Sequence, residues 1–215
     1  MYIEIHNLSK KIKGVTVLEN ISLRFTGGRI YGLQGKNGSG KTMLMRAVCG
    51  LIRPTEGTID IDGKILHRDI SFPQSLGALI ENPTFLSGYT GFQNLKLLAG
   101  IGERVFDDEI MAALEAVGLD PLDKRTYKKY SLGMKRRLGI AYAIMGAPQI
   151  IILDEPFNAL DESGVLQIRD VLLKKKADGA LIILACHDRE ELELLSDETL
   201  KMENGRILTG LPDKE

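Results

Sequence analysis

Two runs of consecutive apolar residues dominate the hydrophobic pattern of this chain. Ile150-Ile151-Ile152-Leu153 and Leu181-Ile182-Ile183-Leu184-Ala185 contain no polar residue. Runs of this kind are typical of strands that are buried on both faces of a sheet. A helix predicted over residues 161–177 separates them. The pattern therefore predicts an α/β arrangement for this part of the chain.

The first thirty residues have a different pattern, in which short apolar stretches alternate with polar positions. Val15-Thr16-Val17-Leu18 and Ile21-Ser22-Leu23-Arg24-Phe25 are predicted strands with turn residues between them. Farther along, residues 58–65 form a predicted hairpin, because Asp62-Gly63 is a favoured two-residue turn. These segments predict an N-terminal antiparallel β subdomain.

From about residue 85 the spacing of apolar residues becomes helical. Three predicted helices follow one another, over residues 92–99, 107–117 and 131–145. Because they interrupt a chain that is otherwise α/β, residues 85–145 are interpreted as an inserted helical subdomain. Residues 1–84 and 146–215 would then form one core, and all 215 residues a single domain.

A glycine-rich octapeptide, Gly35-Lys36-Asn37-Gly38-Ser39-Gly40-Lys41-Thr42, directly follows the apolar run Ile30-Tyr31-Gly32-Leu33. It matches the phosphate-loop pattern G-x-x-x-x-G-K-[ST] at a predicted strand-to-helix junction. Its glycines let backbone N–H groups converge on phosphate oxygens, and the following helix adds its positive dipole end. Lys41 would reach the β- and γ-phosphates, and the Thr42 hydroxyl would ligate Mg²⁺. The alternative is a glycine-rich turn without a ligand.

The first apolar run ends in two acidic residues, Asp154 and Glu155. Carboxylates at the carboxyl end of a parallel strand face the ligand crevice of an α/β sheet. Asp154 is predicted to hold Mg²⁺, directly or through water, and Glu155 to polarise an attacking water as general base. Alone, Asp-Glu-Pro could equally begin a turn, but the upstream phosphate loop favours the catalytic interpretation.

The third predicted helix begins with small, polar and basic residues. Ser131 fits a helix N-cap, and a helix N-terminus can bind an anion. Lys135-Arg136-Arg137 follows in the same helix. These residues are equally compatible with a capped helix whose basic face is solvated, so the segment alone leaves both interpretations open.

The order of these motifs resembles the ATP-binding cassette (ABC) ATPases over essentially the whole chain, about residues 1–210. Phosphate loop, Ser-x-Gly helix start, apolar-Asp-Glu-Pro, Ala-Leu-Asp and a histidine after the second apolar run occur in the family's order. The resemblance implies an α/β P-loop NTPase core with a mixed sheet, an N-terminal antiparallel β subdomain and an inserted helical subdomain. It also implies ATP and Mg²⁺ as cofactors, so that residues 1–84 and 146–215 would form the nucleotide-binding core.

The resemblance also implies an assembly. Tyr130 to Met134 is similar to the family's signature sequence, whose Ser131 and Gly133 would contact the γ-phosphate held by an opposite subunit. Asp161 lies in the segment that would cross this interface. The implied assembly is an ATP-dependent head-to-tail dimer, formed by two identical copies or by two different cassettes.

Within one subunit, the resemblance adds two residues to the predicted site. His187 resembles the switch histidine that senses the γ-phosphate, and it joins Glu155 and Lys41 as a predicted catalytic residue. Thr16 joins the phosphate loop as a predicted nucleotide-binding residue.

Four positions depart from the family pattern. Leu132 replaces a glycine and Met134 a glutamine of the signature, a variant that resembles the bacitracin- and lantibiotic-resistance branch of ABC exporters. Glu81 maps to the Q-loop glutamine; it could join a Mg²⁺-linked water network as a metal-site residue, but it adds negative charge near the triphosphate. Ile12 replaces the aromatic residue that stacks on adenine, which predicts weaker stacking and less discrimination between ATP and GTP.

Charge and hydropathy restrict the class of partner. With 28 basic and 29 acidic residues the formal net charge is −1, so nucleic acid is not expected as a partner. No apolar run reaches the ~18 residues that a membrane span needs.

The leading hypothesis is the ATP-hydrolysing subunit of an ABC transporter, cytoplasmic and peripheral on the inner face of the membrane. A separate permease would dock near Glu81 to Phe92, and a peptide antibiotic is the favoured exported substrate.

Two alternatives belong to other functional classes. Soluble ABC ATPases that act on ribosomes or DNA usually carry two cassettes or long coiled-coil insertions, and this sequence shows neither. A nucleotide-sensing module without turnover would not need the intact set of Lys41, Asp154, Glu155 and His187. Both alternatives are therefore disfavoured.

Overall fold

Two β-sheets and six α-helices make up the part of the chain that the structure describes. The computed structural model describes residues 1–81, 84–101 and 105–208. The strands are β1 Tyr2–Ile12, β2 Val15–Thr26, β3 Arg29–Gln34, β4 Glu56–Ile61, β5 Lys64–Ile65, β6 Leu76–Leu79, β7 Ile150–Asp154, β8 Leu181–Ala185, β9 Glu198–Glu203 and β10 Arg206–Leu208. The helices are α1 Lys41–Val48, α2 Gly91–Ala99, α3 Asp107–Ala116, α4 Leu132–Ile144, α5 Glu162–Ala177 and α6 Arg189–Leu195.

The smaller sheet is antiparallel and the larger one is mixed. The smaller sheet has the order β2-β1-β4-β5, and the larger one has the order β10-β9-β3-β8-β7-β6. Strands β9, β3, β8, β7 and β6 are parallel to one another, while β10 pairs antiparallel with β9. The predicted fold, with an N-terminal antiparallel sheet, a mixed sheet and inserted helices, is confirmed.

The prediction that turn residues separate two strands before residue 26 is wrong. Glu19 and Asn20 lie inside the continuous strand β2, where the register of its pairing with β1 shifts between Leu8 and Lys10. Asn20 has φ 47°, a left-handed conformation that asparagine tolerates better than most residues. A bulge therefore absorbs the polar pair, and the strand continues beyond it. The predicted Asp62-Gly63 turn is present between β4 and β5.

The two apolar runs form the centre of the larger sheet, and each side chain along them is buried. In β7, Ile151 and Leu153 pack against the helices α2 to α6, whereas Ile150 and Ile152 pack against α1 and the antiparallel sheet. Consecutive strand residues point to opposite faces, so an uninterrupted apolar run fits a strand covered on both sides. This packing brings the carboxyl ends of β3, β7 and β8 to one edge of the sheet.

The helical insertion lies between two paired strands of the same sheet. Helices α2, α3 and α4 all follow β6 and precede β7, and β6 pairs directly with β7. Their ends agree with the predicted ends to within one residue. Strand β6 was not predicted, because its four residues Leu76-Gly77-Ala78-Leu79 are too few to show a period. No helix among the described residues is long and apolar enough to cross a bilayer.

The last two described strands, β9 and β10, lie against the N-terminal part of the chain. Strand β9 pairs with β3, and the turn to β10 places Gly205 beside the phosphate loop. The Gly205 N–H donates to the Ser39 carbonyl at 2.9 Å, and the Glu19 N–H donates to the Gly205 carbonyl at 2.8 Å. The final hairpin thus links the phosphate loop to β2.

Candidate functional site

The phosphate loop lies between the end of β3 and the start of α1. Helix α1 begins at Lys41, directly after Gly40, whose φ of 109° is a backbone conformation that favours glycine. The Lys41 ammonium group donates to the carbonyls of Gly35 at 2.6 Å and Lys36 at 3.2 Å. The buried Ser39 hydroxyl has no hydrogen-bond partner among the described residues. The loop therefore surrounds a cation and presents a polar group without a partner, as an anion site requires.

A hydrogen bond joins this loop to the end of β7. The Thr42 hydroxyl donates to Oδ2 of Asp154 at 2.7 Å, and Asp154 is buried. A hydroxyl and a carboxylate oxygen are hard ligands that suit Mg²⁺, which also keeps water and phosphate oxygens in its coordination shell. Within the described ranges, no group of three or more His, Cys, Asp or Glu residues could hold a metal. The protein alone therefore offers only the Thr42 hydroxyl and the Asp154 carboxylate, which fit a Mg²⁺ ion that would take its other ligands from water and a triphosphate.

Glu155 and His187 face each other beside this pair. The His187 backbone N–H donates to Glu155 Oε2 at 3.1 Å, and His187 Nε2 lies 3.1 Å from Glu155 Oε1. Glu155 has φ 54°, and its N–H donates to the Ala185 carbonyl at the end of β8. Burial raises the pKa of Glu155, and the nearby His187 partly offsets this effect. A carboxylate with a raised pKa in a fixed position suits a general base.

One cavity of about 680 Å³ contains these groups. Its lining includes the phosphate-loop residues 37–42, Asp154, Glu155 and His187, together with Glu81 and Thr16. The predicted catalytic and metal-site residues of one subunit therefore meet in this cavity, together with the predicted nucleotide-binding residues Thr16 and 37–42. Gly35, Lys36 and Ile12 were also predicted to bind nucleotide, but they are not among its lining residues. Further lining residues were not predicted from the sequence: Val15, Val17, Met43, Arg136, Asn158, Asn204 and Gly205.

The predicted signature residues lie outside the lining of this cavity. Ser131 is the N-cap of α4, and its exposed hydroxyl accepts from the Met134 N–H at 3.2 Å. A Cβ atom on Gly133 would lie 2.8 Å from the Ala159 carbonyl, so glycine lets α4 approach the segment before Asp161 closely. Asp161 is exposed as well, and a hydrogen bond from the Ser163 hydroxyl lowers the pKa of its carboxyl group.

The comparison with known proteins agrees with this geometry. The family model described as "ABC transporter" matches residues 18–158. The chain is 52% identical over 208 residues to the uncharacterized ABC transporter ATP-binding protein YybJ of Bacillus subtilis (strain 168), a match that covers 97% of this chain and 95% of that protein. The chain belongs to the ABC transporter family, as an ATP-binding ATPase subunit. The bacitracin transport ATP-binding protein BcrA of Enterococcus faecalis is 40% identical, over 96% of this chain and 68% of that protein.

A solved structure confirms the fold of this ABC ATPase. The dimeric structure of MJ0796, a bacterial ABC transporter cassette, superposes with a TM-score of 0.90 at 22% identity. The match covers 99% of this chain and 99% of the cassette. At this identity the likeness shows the shared fold.

The basic cluster of α4 is not a solvated face in this ABC ATPase. Arg136 is 7% exposed and donates from Nη1 to the Glu81 carbonyl at 3.1 Å. Arg137 donates to the Val117 carbonyl and to Gln167, while Lys135 lies over the Tyr127 ring. Burial lowers the pKa of Arg136, and the nearby Asp154 and Glu155 partly offset this effect.

The spacing of α4 contains a signal for the burial of Arg136. This residue precedes the buried Ile140 by one helical turn, so both lie on the same face of the helix. Helical phase alone therefore places Arg136 on the buried side. The positive charge of Lys135-Arg136-Arg137 favoured a solvated face instead, because arginine is rarely buried.

Glu81 lines the cavity, but its carboxylate is already paired. Oε1 of Glu81 accepts from Arg46 Nη2 at 2.6 Å, and Arg46 lies on α1. The contribution of Glu81 to a metal site therefore stays a prediction. Ile12 is not among the residues that line the cavity, but its cross-strand partner Val15 is.

Replacing Glu155 by Gln is expected to raise the thermal stability of the nucleotide-free protein by a few degrees at pH 7.5. Burial raises the pKa of Glu155 in the folded chain, so ionising this group costs more free energy in the folded state than in the unfolded state. The protein is therefore most stable with respect to this group below the unfolded-state pKa, and it loses that stability as the pH rises through the folded-state pKa. The glutamine cannot ionise, so its advantage should shrink as pH falls towards the ordinary glutamate pKa of about 4.3. Thermal unfolding between pH 5 and 8 measures this difference, with the exposed Glu115→Gln as control; an equal or lower melting temperature at pH 7.5 would contradict it.

ATP and GTP are expected to bind with similar affinity, because Ile12 offers no π-face at the β1–β2 end of the cavity. Ile12→Tyr should strengthen ATP binding by about 1 kcal/mol, or roughly fivefold, through stacking on the base. Titration calorimetry with both nucleotides measures this change, and Ile12→Leu controls for bulk. A strong ATP preference in the unmodified protein would count against the assignment of Ile12.

Proposed function

We propose that this chain is the hydrolytic motor of a membrane transporter and works as a pair of cassettes beneath a separate permease. The observation that carries the proposal is the shared cavity. It contains the phosphate loop, the Thr42–Asp154 pair and the Glu155–His187 pair. A module that only bound nucleotide would not need the second pair.

Each group in the cavity has a role in phosphoryl transfer to water. Lys41 would exchange its loop carbonyls for the β- and γ-phosphate oxygens and neutralise part of their charge. Glu155 would accept the proton of the attacking water while His187 fixes the carboxylate through its N–H and ring. Thr42 and Asp154 would hold Mg²⁺, which when bound would neutralise charge that develops on the phosphate oxygens.

The placement of the signature residues supports action between two subunits. Ser131 is exposed at the N-terminus of α4, outside the cavity of its own chain. The neighbouring Leu132 is 68% exposed, an unusual position for a large apolar side chain. A helix N-terminus attracts anions. A second cassette, facing head to tail, would bring its γ-phosphate to Ser131 and Gly133 and cover Leu132.

Residues 84–92, the described part of the predicted docking segment after Glu81, support permease docking, whereas Asn82 and Pro83 lie outside the described residues. Leu86 is 53% exposed and Tyr89 is 44% exposed, while Phe85, which precedes them in sequence, is buried. Asn94 fixes the segment, because its side chain bonds Leu86 and the carbonyl of Tyr89. The exposed side chains of Leu86 and Tyr89, on a backbone that Asn94 fixes, suit a partner surface. Docking there would place the chain on the cytoplasmic face of the membrane.

The substrate class is proposed from the relatives. BcrA of Enterococcus faecalis is described as a bacitracin transport ATP-binding protein, and the signature variant of this chain resembles that branch. Export of a peptide antibiotic or a similar amphiphile is the transport reaction that this likeness favours.

Glu155→Gln is expected to reduce Mg²⁺-dependent ATP hydrolysis by at least about 100-fold, because general-base catalysis contributes that much or more. ATP binding should persist, since Lys41 and the loop remain. Without turnover, ATP should bring two protomers together, as size-exclusion chromatography with light scattering would detect. Glu115→Gln on α3 is the control. Undiminished phosphate release would remove Glu155 from its role, and a protein that stays monomeric with ATP would contradict the assembly.

Leu86→Asp and Tyr89→Asp should abolish co-purification with the proposed permease partner. Each substitution places a charge on the proposed docking surface, and neither residue lines the cavity. ATP affinity should therefore be unchanged. Leu122→Asp, at a residue that is 78% exposed elsewhere, is the matched control. Retained co-purification by both docking variants would exclude this segment as the contact.

A further inference from the structure

Glu81 lies between two arginines that belong to different helices. Arg46 donates to its carboxylate at 2.6 Å, and Arg136 donates to its carbonyl at 3.1 Å. Helix α1, which carries Arg46, begins in the phosphate loop, and α4, which carries Arg136, begins directly after Ser131. One residue therefore contacts the helix that follows the phosphate loop and the helix that carries the signature.

The backbone of Glu81 depends on these contacts. Its φ is 63°, in the left-handed region that glycine favours and glutamate rarely adopts. The residue follows β6 closely, where the sheet ends at the cavity. Two charged hydrogen bonds, one to the side chain and one to the carbonyl, fix both ends of the residue in this conformation.

The charges around the cavity explain why a partner for this carboxylate matters. Asp154 and Glu155 already face the region where a triphosphate would bind. A third carboxylate would repel the nucleotide or compete for Mg²⁺ unless a cation cancels it. The Arg46–Glu81 pair is partly exposed, at 35% and 59%, so it contributes little to global stability. Its position beside the cavity therefore indicates a local electrostatic role.

We propose that Arg46 is a positioning residue that holds the Glu81 carboxylate away from Mg²⁺ and the triphosphate, while Arg136 anchors the same residue to the signature helix. Glu81 is then not a metal ligand in this chain. The inference rests on the proposed nucleotide site and adds a function for two arginines outside the recognised motifs. It also accounts for an acidic residue at a position where it would otherwise weaken nucleotide binding.

The experiment compares four proteins: the unmodified chain, Glu81→Gln, Arg46→Met and the double variant. Binding of a fluorescent ATP analogue is measured in EDTA and across a Mg²⁺ titration. Glu81→Gln alone should leave the half-saturating Mg²⁺ concentration within about twofold, because no ligand is lost. Arg46→Met should weaken metal-free binding about fivefold when Glu81 is present, since a free carboxylate then faces the triphosphate. In the Glu81→Gln background, Arg46→Met should change metal-free nucleotide binding by less than about twofold.

Two results would overturn the proposal. A several-fold rise in the Mg²⁺ requirement of Glu81→Gln alone would identify Glu81 as a metal ligand. An equal effect of Arg46→Met with and without Glu81→Gln would show that Arg46 acts on the nucleotide independently of Glu81. Arg53→Met, an exposed arginine outside the cavity lining, controls for loss of positive charge, and melting temperatures without nucleotide confirm that each variant folds. If the unmodified chain bound no nucleotide, that result would contradict the proposed nucleotide site rather than the role of Arg46.

Discussion

The hydrogen bond between Thr42 and Asp154 is the contact on which the site depends. The two residues are 112 positions apart in sequence, and the order of the parallel strands brings them together. The phosphate loop follows β3 and Asp154 ends β7, with β8 lying between these two strands. Because parallel strands end at the same edge, the loop, the acidic pair and the histidine after β8 meet there. The antiparallel sheet and the inserted helices cover the two faces of this sheet and keep that edge open.

Burial in this fold also determines the chemistry of the site. The apolar residues of β7 and β8 pack so completely that the first polar groups after them emerge at a partly desolvated edge of the sheet. Burial raises the pKa of Glu155 there, and contacts with His187 fix the orientation of its side chain. The same core that stabilises the fold therefore raises the basicity of the group that would activate water.

Local signals made much of this arrangement predictable, whereas contacts between distant segments escaped prediction. The phosphate loop has a fixed spacing and the two apolar runs have no polar interruption, so each feature is encoded within one element. Nothing near Arg46 in the sequence indicates Glu81 as its partner, and the charge of Arg136 concealed its place on the buried face of α4. The Glu19-Asn20 pair resembles a turn locally, but pairing with β1 makes it a bulge. In each case tertiary pairing outweighed local preference.

The contact between Gly205 and Ser39 has a consequence for biosynthesis. The phosphate loop emerges early from the ribosome, yet one of its carbonyls receives its backbone partner from the β9–β10 hairpin. Strand β9, which flanks β3 in the finished sheet, arrives equally late. A growing polypeptide would therefore lack a complete phosphate-binding loop until translation had passed this hairpin. Its affinity for a triphosphate would then depend on the synthesis of residues more than 160 positions downstream of the loop.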